Sequence, residues 1–362
     1  MESFNSIDDL INNILTCNMV TPDIENYKQI IDENTDTLEI LRTLENVRPC
    51  DQRYFLYKRV ILITYNYRRE LVKLPGNLSI KMNIRVIGLP VDLSYGGYLM
   101  AQDDINISNS IGQLLKEAAD QIRNQFKGVT LVLNSDKDIW KGYTEASAYI
   151  FYNRFSSFQD YLDSMRNRYR YSMVKKLKKA EGLVFRELNN SDFSEEYYDL
   201  YLSVYNRASE KLDPMPLDFF RKLSSDIFEV RDKENDLLGF IQTKKIGKDL
   251  HGIYVGFLKD KADESVSEYI SSVDLYYNLF LYIIRYGIEQ GFEKIVFGAT
   301  GEETKSMIGC REELRYLYVT SSNPLYRLFF HLYPSFYIWP RYTKEHAVFK
   351  DLPLEVVQKA DL

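Results

Sequence analysis

Hydrophobic and polar positions change period several times along this chain, and the changes mark its elements. Residues 1–50 read as short helices: Ser6 and Asp9 form a capping pair, and Thr21-Pro22-Asp23 places proline in a first helical turn. From Tyr54 the pattern turns to strands over 54–57, 60–65 and 80–89. In the last of these, Ile80, Met82, Ile84 and Val86 alternate with other positions, the period of a half-buried strand. Pro90 and Gly96-Gly97 mark turns. A helix is predicted over 108–126, with Gly128 separating it from a strand over 129–133.

The second half repeats this grammar more clearly. A strand over 146–152 precedes the cap Ser156-Ser157. Phe158, Leu162, Met165, Tyr169, Met173, Leu177 and Ala180 then recur at three- or four-residue steps, which predicts one helix ending at Gly182. A strand over 183–188, a helix over 195–211 that stops before Asp213-Pro214, and a short helix over 217–224 come next. Three strands over 227–231, 237–246 and 250–258 turn at Asn235-Asp236 and Gly247-Lys248, so they are expected as antiparallel hairpins. A helix over 274–290, apolar nearly all round and so expected to be buried, ends at Gly291 and leads to a strand over 293–297. This order gives an α+β plan.

Composition narrows the chemistry. Net charge is −6, which argues against wholesale wrapping of nucleic acid while leaving room for a local basic patch. Such a patch exists: Arg166, Arg168, Arg170, Lys175, Lys176, Lys178 and Lys179 make a run of seven cations and no anion between 166 and 179. They suit a phosphate-bearing partner or, equally, a solvated face opposite the apolar stripe. The 29 tyrosines and 20 phenylalanines supply aromatic surface both for cores and for grooves that must hydrogen-bond. Cys17, Cys50 and Cys310 form no CxxC pair, and His251, His331 and His346 lack ligand spacing, so no metal is expected. No G-x-S-x-G elbow points to a hydrolase triad. Asp8-Asp9 near the amino terminus, with no basic run before an apolar one, argue against a signal peptide. Residues 275–288 are too short for a membrane span, so no transmembrane segment and a cytoplasmic location are expected.

Two segments carry a family resemblance. One is Phe158-Gln159-Asp160-Tyr161-Leu162 with the basic run up to Gly182. The other is Asp274-Leu275-Tyr276-Tyr277-Asn278-Leu279 through Gly291, then Ile295-Val296-Phe297-Gly298-Ala299-Thr300, Lys305 and Gly309. Together they resemble the acetyltransferase (GNAT) superfamily, in particular the Fem-type (FemAB-like) aminoacyltransferases and the cellulose-biosynthesis-type acetyltransferases. The resemblance lies within 145–330, and residues 51–145 look like a weaker first lobe. The chain departs from acetyl-CoA-dependent members at 259–273. The glycine loop that lets backbone amides cradle a pyrophosphate is missing there, as it is in Fem-type enzymes, whose donor is charged tRNA.

The resemblance implies an α+β, two-lobed tandem GNAT-like fold with mixed, mostly antiparallel sheets flanked by helices. Its expected divisions are a helical segment 1–50, a degenerate lobe 51–145, an acyl-donor lobe 146–345 and a tail 346–362. It implies an N-acyltransferase moving an acyl or aminoacyl group from acyl-CoA or aminoacyl-tRNA to an amine of a small molecule or peptidoglycan precursor. A non-catalytic binding or scaffold protein of the same fold is the alternative. Lys305, at the position of the family lysine, is expected to stabilise the oxyanion or bind a donor phosphate, although a loop lysine beside Glu302-Glu303 would serve solubility alone. Tyr276 is the expected acid for the leaving group, although tyrosines on this helix also suit a core. Thr300, Gly301 and Arg285 are expected near the donor; Arg285 must find a carboxylate or face a cleft. Arg207, Lys211 and Tyr254 are expected near the acceptor, although Arg207 and Lys211 also suit a helix C-terminus. His251 stands where the family keeps a base or its water, or is simply exposed at a strand start. The run 166–179 is the candidate tRNA contact.

Overall fold

The computed structural model describes the chain except residues 1, 18–20, 49, 74–78, 92, 102–107, 127, 136–144, 209–212, 258–272, 300, 333–345 and 352–362. It also leaves out the side chains of 69–73, 79–82, 108–111, 145–146 and 331. The chain divides into two compact units, residues Met1–Ser147 with Leu314–Arg341 and residues Ala148–Glu313 with Tyr342–Leu362.

The first unit opens with β1 (Glu2–Phe4) and three helices, α1 (Ile7–Thr16), α2 (Pro22–Glu33) and α3 (Thr35–Val47). Ser6 Oγ accepts from Asp9 N at 3.1 Å and Thr21 Oγ1 from Ile24 N at 3.3 Å, so both expected helix starts form. Ile7, Leu10 and Ile14 of α1 are fully buried; each such side chain contributes about 1.5–3 kcal/mol. Then come β2 (Arg53–Tyr57), β3 (Val60–Lys73), β4 (Ser79–Ile87), β5 (Tyr98–Leu99), α4 (Ser108–Gln125) and β6 (Val129–Ser135). Strands β1 to β4 pair antiparallel in sequence order, β6 joins β4 in parallel, and β5 pairs with β3.

The second unit carries β7 (Glu145–Tyr152), α5 (Phe158–Ser164), α6 (Asn167–Lys179) and β8 (Val184–Leu188). It continues with α7 (Glu195–Arg207), α8 (Leu217–Lys222), β9 (Asp226–Arg231), β10 (Leu237–Ile246) and β11 (Asp249–Phe257). The last elements are α9 (Leu275–Glu289), β12 (Lys294–Phe297) and α10 (Glu302–Met307). Strands β8 to β11 are antiparallel through the two expected hairpins, whose Asn235 and Gly247 take φ of 71° and 59°. Strand β12 lies parallel to β11 and antiparallel to β7. The strand and helix order β8 to β12 thus repeats that of β1 to β6.

The predicted single helix over 158–180 is two helices. Met165 is extended (φ −69°, ψ 149°) and bridges Phe349, while Arg166 N donates to Val348 O at 2.8 Å. Pairing with a segment far along the chain overrides a stripe that stays apolar across the break. The chain then returns to the first unit with β13 (Arg311–Ser321), which pairs antiparallel with β6, and α11 (Pro324–Leu332). Neither element was expected. No helix among the described residues is long and apolar enough to cross a membrane.

Helix α9 packs on one face of the second sheet, where Phe280 meets Phe297 at 4.8 Å between ring centroids. Helices α7 and α8 cover the other, where Phe220, Phe193 and Tyr197 surround Phe240. Gly256 allows the close approach of α7: a Cβ there would lie 2.8 Å from Tyr201 N.

Candidate active site

The site begins with where two parallel strands stop pairing. Strand β11 matches β12 only from Asp249↔Lys294 to Gly252↔Phe297. It then runs five residues further, to Phe257, with β10 as its only strand partner among the described residues. The departure has a local cause. Across the β10 pairing, Gln242 faces Tyr254 and Thr243 faces Gly252, so Ile253 is an extra residue, a bulge that bends β11 just past its last pair with β12. Beyond Gly252 this edge of β11 has no strand partner among the described residues.

Lys305 lies just past the end of β12. Strand β12 ends at Phe297, the chain turns through Gly298, and α10 carries Lys305 back beneath the turn. The side chain is 3% exposed and its ammonium donates to the Gly298 carbonyl, 5.8 Å from the ring centroids of both Tyr149 and Phe280. It is therefore a held, desolvated cation rather than a surface lysine beside Glu302-Glu303. Tyr161 Oη donates to Ile308 O at 2.8 Å and Cys310 N to Lys305 O at 3.0 Å, which fixes α10 in place.

Tyr276, in the first turn of α9, joins it. Its ring lies 4.8 Å from Phe280 and 5.5 Å from Phe257, the last residue of β11. Burial pushes the Tyr276 phenol up to about 12, so it holds its proton at neutral pH. Gly301 begins α10 with φ 78°, and a Cβ there would lie 2.2 Å from Tyr276 Oη; glycine is required on both grounds. The Arg207 guanidinium, 5.2 Å from the Phe257 ring, extends the line. Lys305, Phe280, Tyr276, Gly301, Phe257 and Arg207 are thus contiguous.

The other expected residues fall elsewhere. Arg285 has no carboxylate partner among the described residues: it is exposed and stacks 4.3 Å over Phe158. Tyr254 lies on the opposite face, among Tyr201, Phe219 and Phe220. His251, expected to be exposed if it had no role, is 1% exposed and sits across from Lys244, whose ammonium donates to Ser224 O at 2.7 Å. Thr300 and Lys211 lie outside the described residues.

The basic run divides. Lys176 and Lys179 pair with Asp274 at 3.0 and 2.8 Å, Arg170 pairs with Asp163 at 2.7 Å, and Arg166 Nε donates to Phe349 O. Arg168, Lys175 and Lys178 are exposed beside Tyr171, itself 74% exposed. Burial alone would raise the Asp274 carboxyl, but hydrogen bonds from Lys179 and Lys176 outweigh it and hold the group below the usual carboxylate range. Asp274 thereby places a fixed anion at the N-terminus of α9.

Sequence reasoning missed Phe257, Phe280 and the bulge. The signal available was two glycines, Gly252 and Gly256, inside one strand, a mark of close approach or of a bulge. Among the described residues no group of His, Cys, Asp and Glu is suited to a metal ion.

No family model and no curated protein matches the sequence. Among solved structures, the chain is similar to L-PGS from Bacillus licheniformis, with 14% identity over 85% of this chain and 95% of that one, at a TM-score of 0.48. It is similar to FemX, with 12% identity over 91% and 99% and a TM-score of 0.45. It is also similar to Saccharomyces cerevisiae N-myristoyltransferase with bound myristoyl-CoA, with 10% identity over 88% and 82% and a TM-score of 0.48. Scores below 0.5 carry no argument about activity.

Proposed function

We propose that this chain is a GNAT-like N-acyltransferase that moves an acyl or aminoacyl group from an activated donor to a primary amine, of a small molecule or a peptidoglycan-precursor-like acceptor. One observation carries the reading: Lys305, buried just past the end of β12, and Tyr276, a phenol that keeps its proton, pack on the same ring, Phe280.

The chemistry asks little more. The amine nitrogen attacks the donor carbonyl, and negative charge gathers on its oxygen. Lys305 stabilises that charge. The C–O or C–S bond then breaks, Tyr276 protonates the leaving oxygen or sulfur, and the proton lost by the amine passes through water to restore the phenol. Arg207, beside Phe257, suits an acidic group on the acceptor.

Two observations favour aminoacyl-tRNA over acyl-CoA. Asp274, held by Lys176 and Lys179, occupies the helix end where a pyrophosphate would bind and takes the place of that anion. Arg168, Tyr171, Lys175 and Lys178 form an exposed cationic and aromatic stripe on α6, suited to a nucleic-acid strand. The test is transfer of a labelled group to an amine from aminoacyl-tRNA and, separately, from acyl-CoA. Transfer from tRNA that falls with salt supports both parts, and transfer from CoA alone overturns the choice of donor. Failure of both donors to react or to bind supports a non-catalytic binding protein.

A further inference from the structure

Helix α10 carries Lys305 on six residues, and a helix that short has little stability of its own. Its flanks are free to turn: Gly301 and Gly309, on either side, take φ of 78° and 94°. What α10 packs against therefore decides where the Lys305 ammonium sits. One support comes from α5, where Tyr161 Oη donates to Ile308 O at 2.8 Å, and another from α9, where Tyr277 Oη donates to Met307 Sδ at 3.4 Å. A further support comes from much later in the chain.

Residues 346–351 lie as a strap across the break between α5 and α6. Val348 O and Phe349 O accept from Arg166 N and Nε, at 2.8 and 3.1 Å, and Lys350 N donates to Ser164 O at 3.0 Å. Arg154 pairs with Asp351 at the far end. From this anchorage the strap reaches α10 twice. His346 N donates to Ser306 Oγ at 3.2 Å, on the residue next to Lys305. The Phe349 ring, 5% exposed, packs 5.3 Å from Phe155 and 6.1 Å from Tyr161, between ring centroids, and closes on Gly309. A Cβ on Gly309 would lie 2.5 Å from Phe349 Cζ, so the ring and the positive φ both exclude a side chain there. Phe349 thus bears on Gly309 and on Tyr161, whose hydroxyl holds Ile308. The interrupted helix over 158–180 has its reason here, since the extended residue Met165 is what the strap pairs with.

We infer that residues 346–351 hold Lys305 in its working place, with Phe349 and His346 as positioning residues that act through α10. The inference rests on the reading of Lys305 as the cation that meets the oxyanion. Without the Phe349 ring the last turn of α10 loses its seat, and the ammonium moves off the Gly298 carbonyl into water. A cation free to move with solvent is a poorer oxyanion partner than one fixed in advance.

The experiment is acetylation of the folded full chain with the N-hydroxysuccinimide ester of acetic acid, read lysine by lysine by mass spectrometry. In the wild type Lys305, 3% exposed, reacts far more slowly than the exposed Lys175. In Phe349→Ala, labelling of Lys305 rises about tenfold as α10 opens locally. Lys244, also buried in this unit with its ammonium on Ser224 O, keeps its wild-type rate. A rise at both lysines is general loosening and overturns the inference, as does no rise at Lys305. Ser306→Ala removes only the acceptor of the His346 amide; it raises Lys305 labelling about threefold and serves as the readout should Phe349→Ala fold poorly. With a donor that reacts, Phe349→Ala lowers kcat about tenfold and leaves KM for the amine within about twofold. A raised KM with unchanged kcat would put the strap in acceptor binding and overturn the positioning role. Selective labelling of Lys305 in a chain that transfers from neither donor upholds the strap and removes the transferase reading, so the two fail separately.

Discussion

The two units order their strands alike, and each contains one parallel pair of four matched residues: Ile84↔Val129 to Ile87↔Val132 in the first, Asp249↔Lys294 to Gly252↔Phe297 in the second. They differ in the backbone just beyond the last match. In the first unit the chain doubles back on itself: Ile63 N donates to Gly97 O at 2.8 Å and Gly88 N to Ile63 O at 3.1 Å. A Cβ on Gly97 would lie 2.1 Å from Gly88 N. Backbone crosses the place where the strands part, beside a small cavity lined by Leu62, Ile87, Gly97, Leu115 and Val132. In the second unit β11 bulges at Ile253 and runs on without β12, and Lys305 and Tyr276 both pack on Phe280. The same strand order thus continues differently in the two units, and a handful of residues after the last pair decides how.

The comparison breaks most sharply at Lys305. Replacing it with Met keeps much of the volume but removes the charge, and turnover is expected to fall about 10²–10³-fold, the cost of losing one oxyanion donor. Wild-type turnover in Lys305→Met would leave the site without its electrostatics. Tyr276→Phe is expected to lower kcat about 10²-fold, as for loss of a general acid. With the phenol raised to about 12, the wild-type rate should show no falling limb from this group between pH 6 and 9; a limb there that vanishes in the Phe variant would contradict the assignment.

Gly97→Ala tests the first unit. Its methyl group would meet backbone, so the protein is expected to lose about 1–3 kcal/mol of stability, read by denaturant unfolding, with turnover per folded molecule unchanged. Asp274→Asn is the mildest change, about 1 kcal/mol at neutral pH. Because the folded carboxyl is held low, its stabilisation is present above the ordinary carboxylate range near ~3.9 and lost as pH falls through the folded value. Wild type and variant should therefore converge in stability in acid; a constant difference across the range would separate Asp274 from its two lysines.

Much of the second unit was legible because its strands alternate and its hairpins carry residues that accept positive φ. The site was half legible. Lys305, Tyr276 and Gly301 stand on the motif, whereas Phe257 and Phe280 look like any core aromatic until β11 is seen to outrun β12. Arg285 misled because its helix is apolar on nearly every side, yet the guanidinium rests on Phe158 at the exposed edge. The break at Met165 and the pairing of β13 with β6 have no local signal, since both depend on distant backbone.

The central claim is that an activated carbonyl enters where β11 leaves β12. Amide hydrogen exchange with and without a non-hydrolysable aminoacyl-tRNA analogue tests it most directly. The account predicts slowed exchange at residues 253–257 and 298–305, with residues 86–99 of the first unit unchanged. Protection confined to the first unit, or in neither unit although the analogue binds, would contradict it.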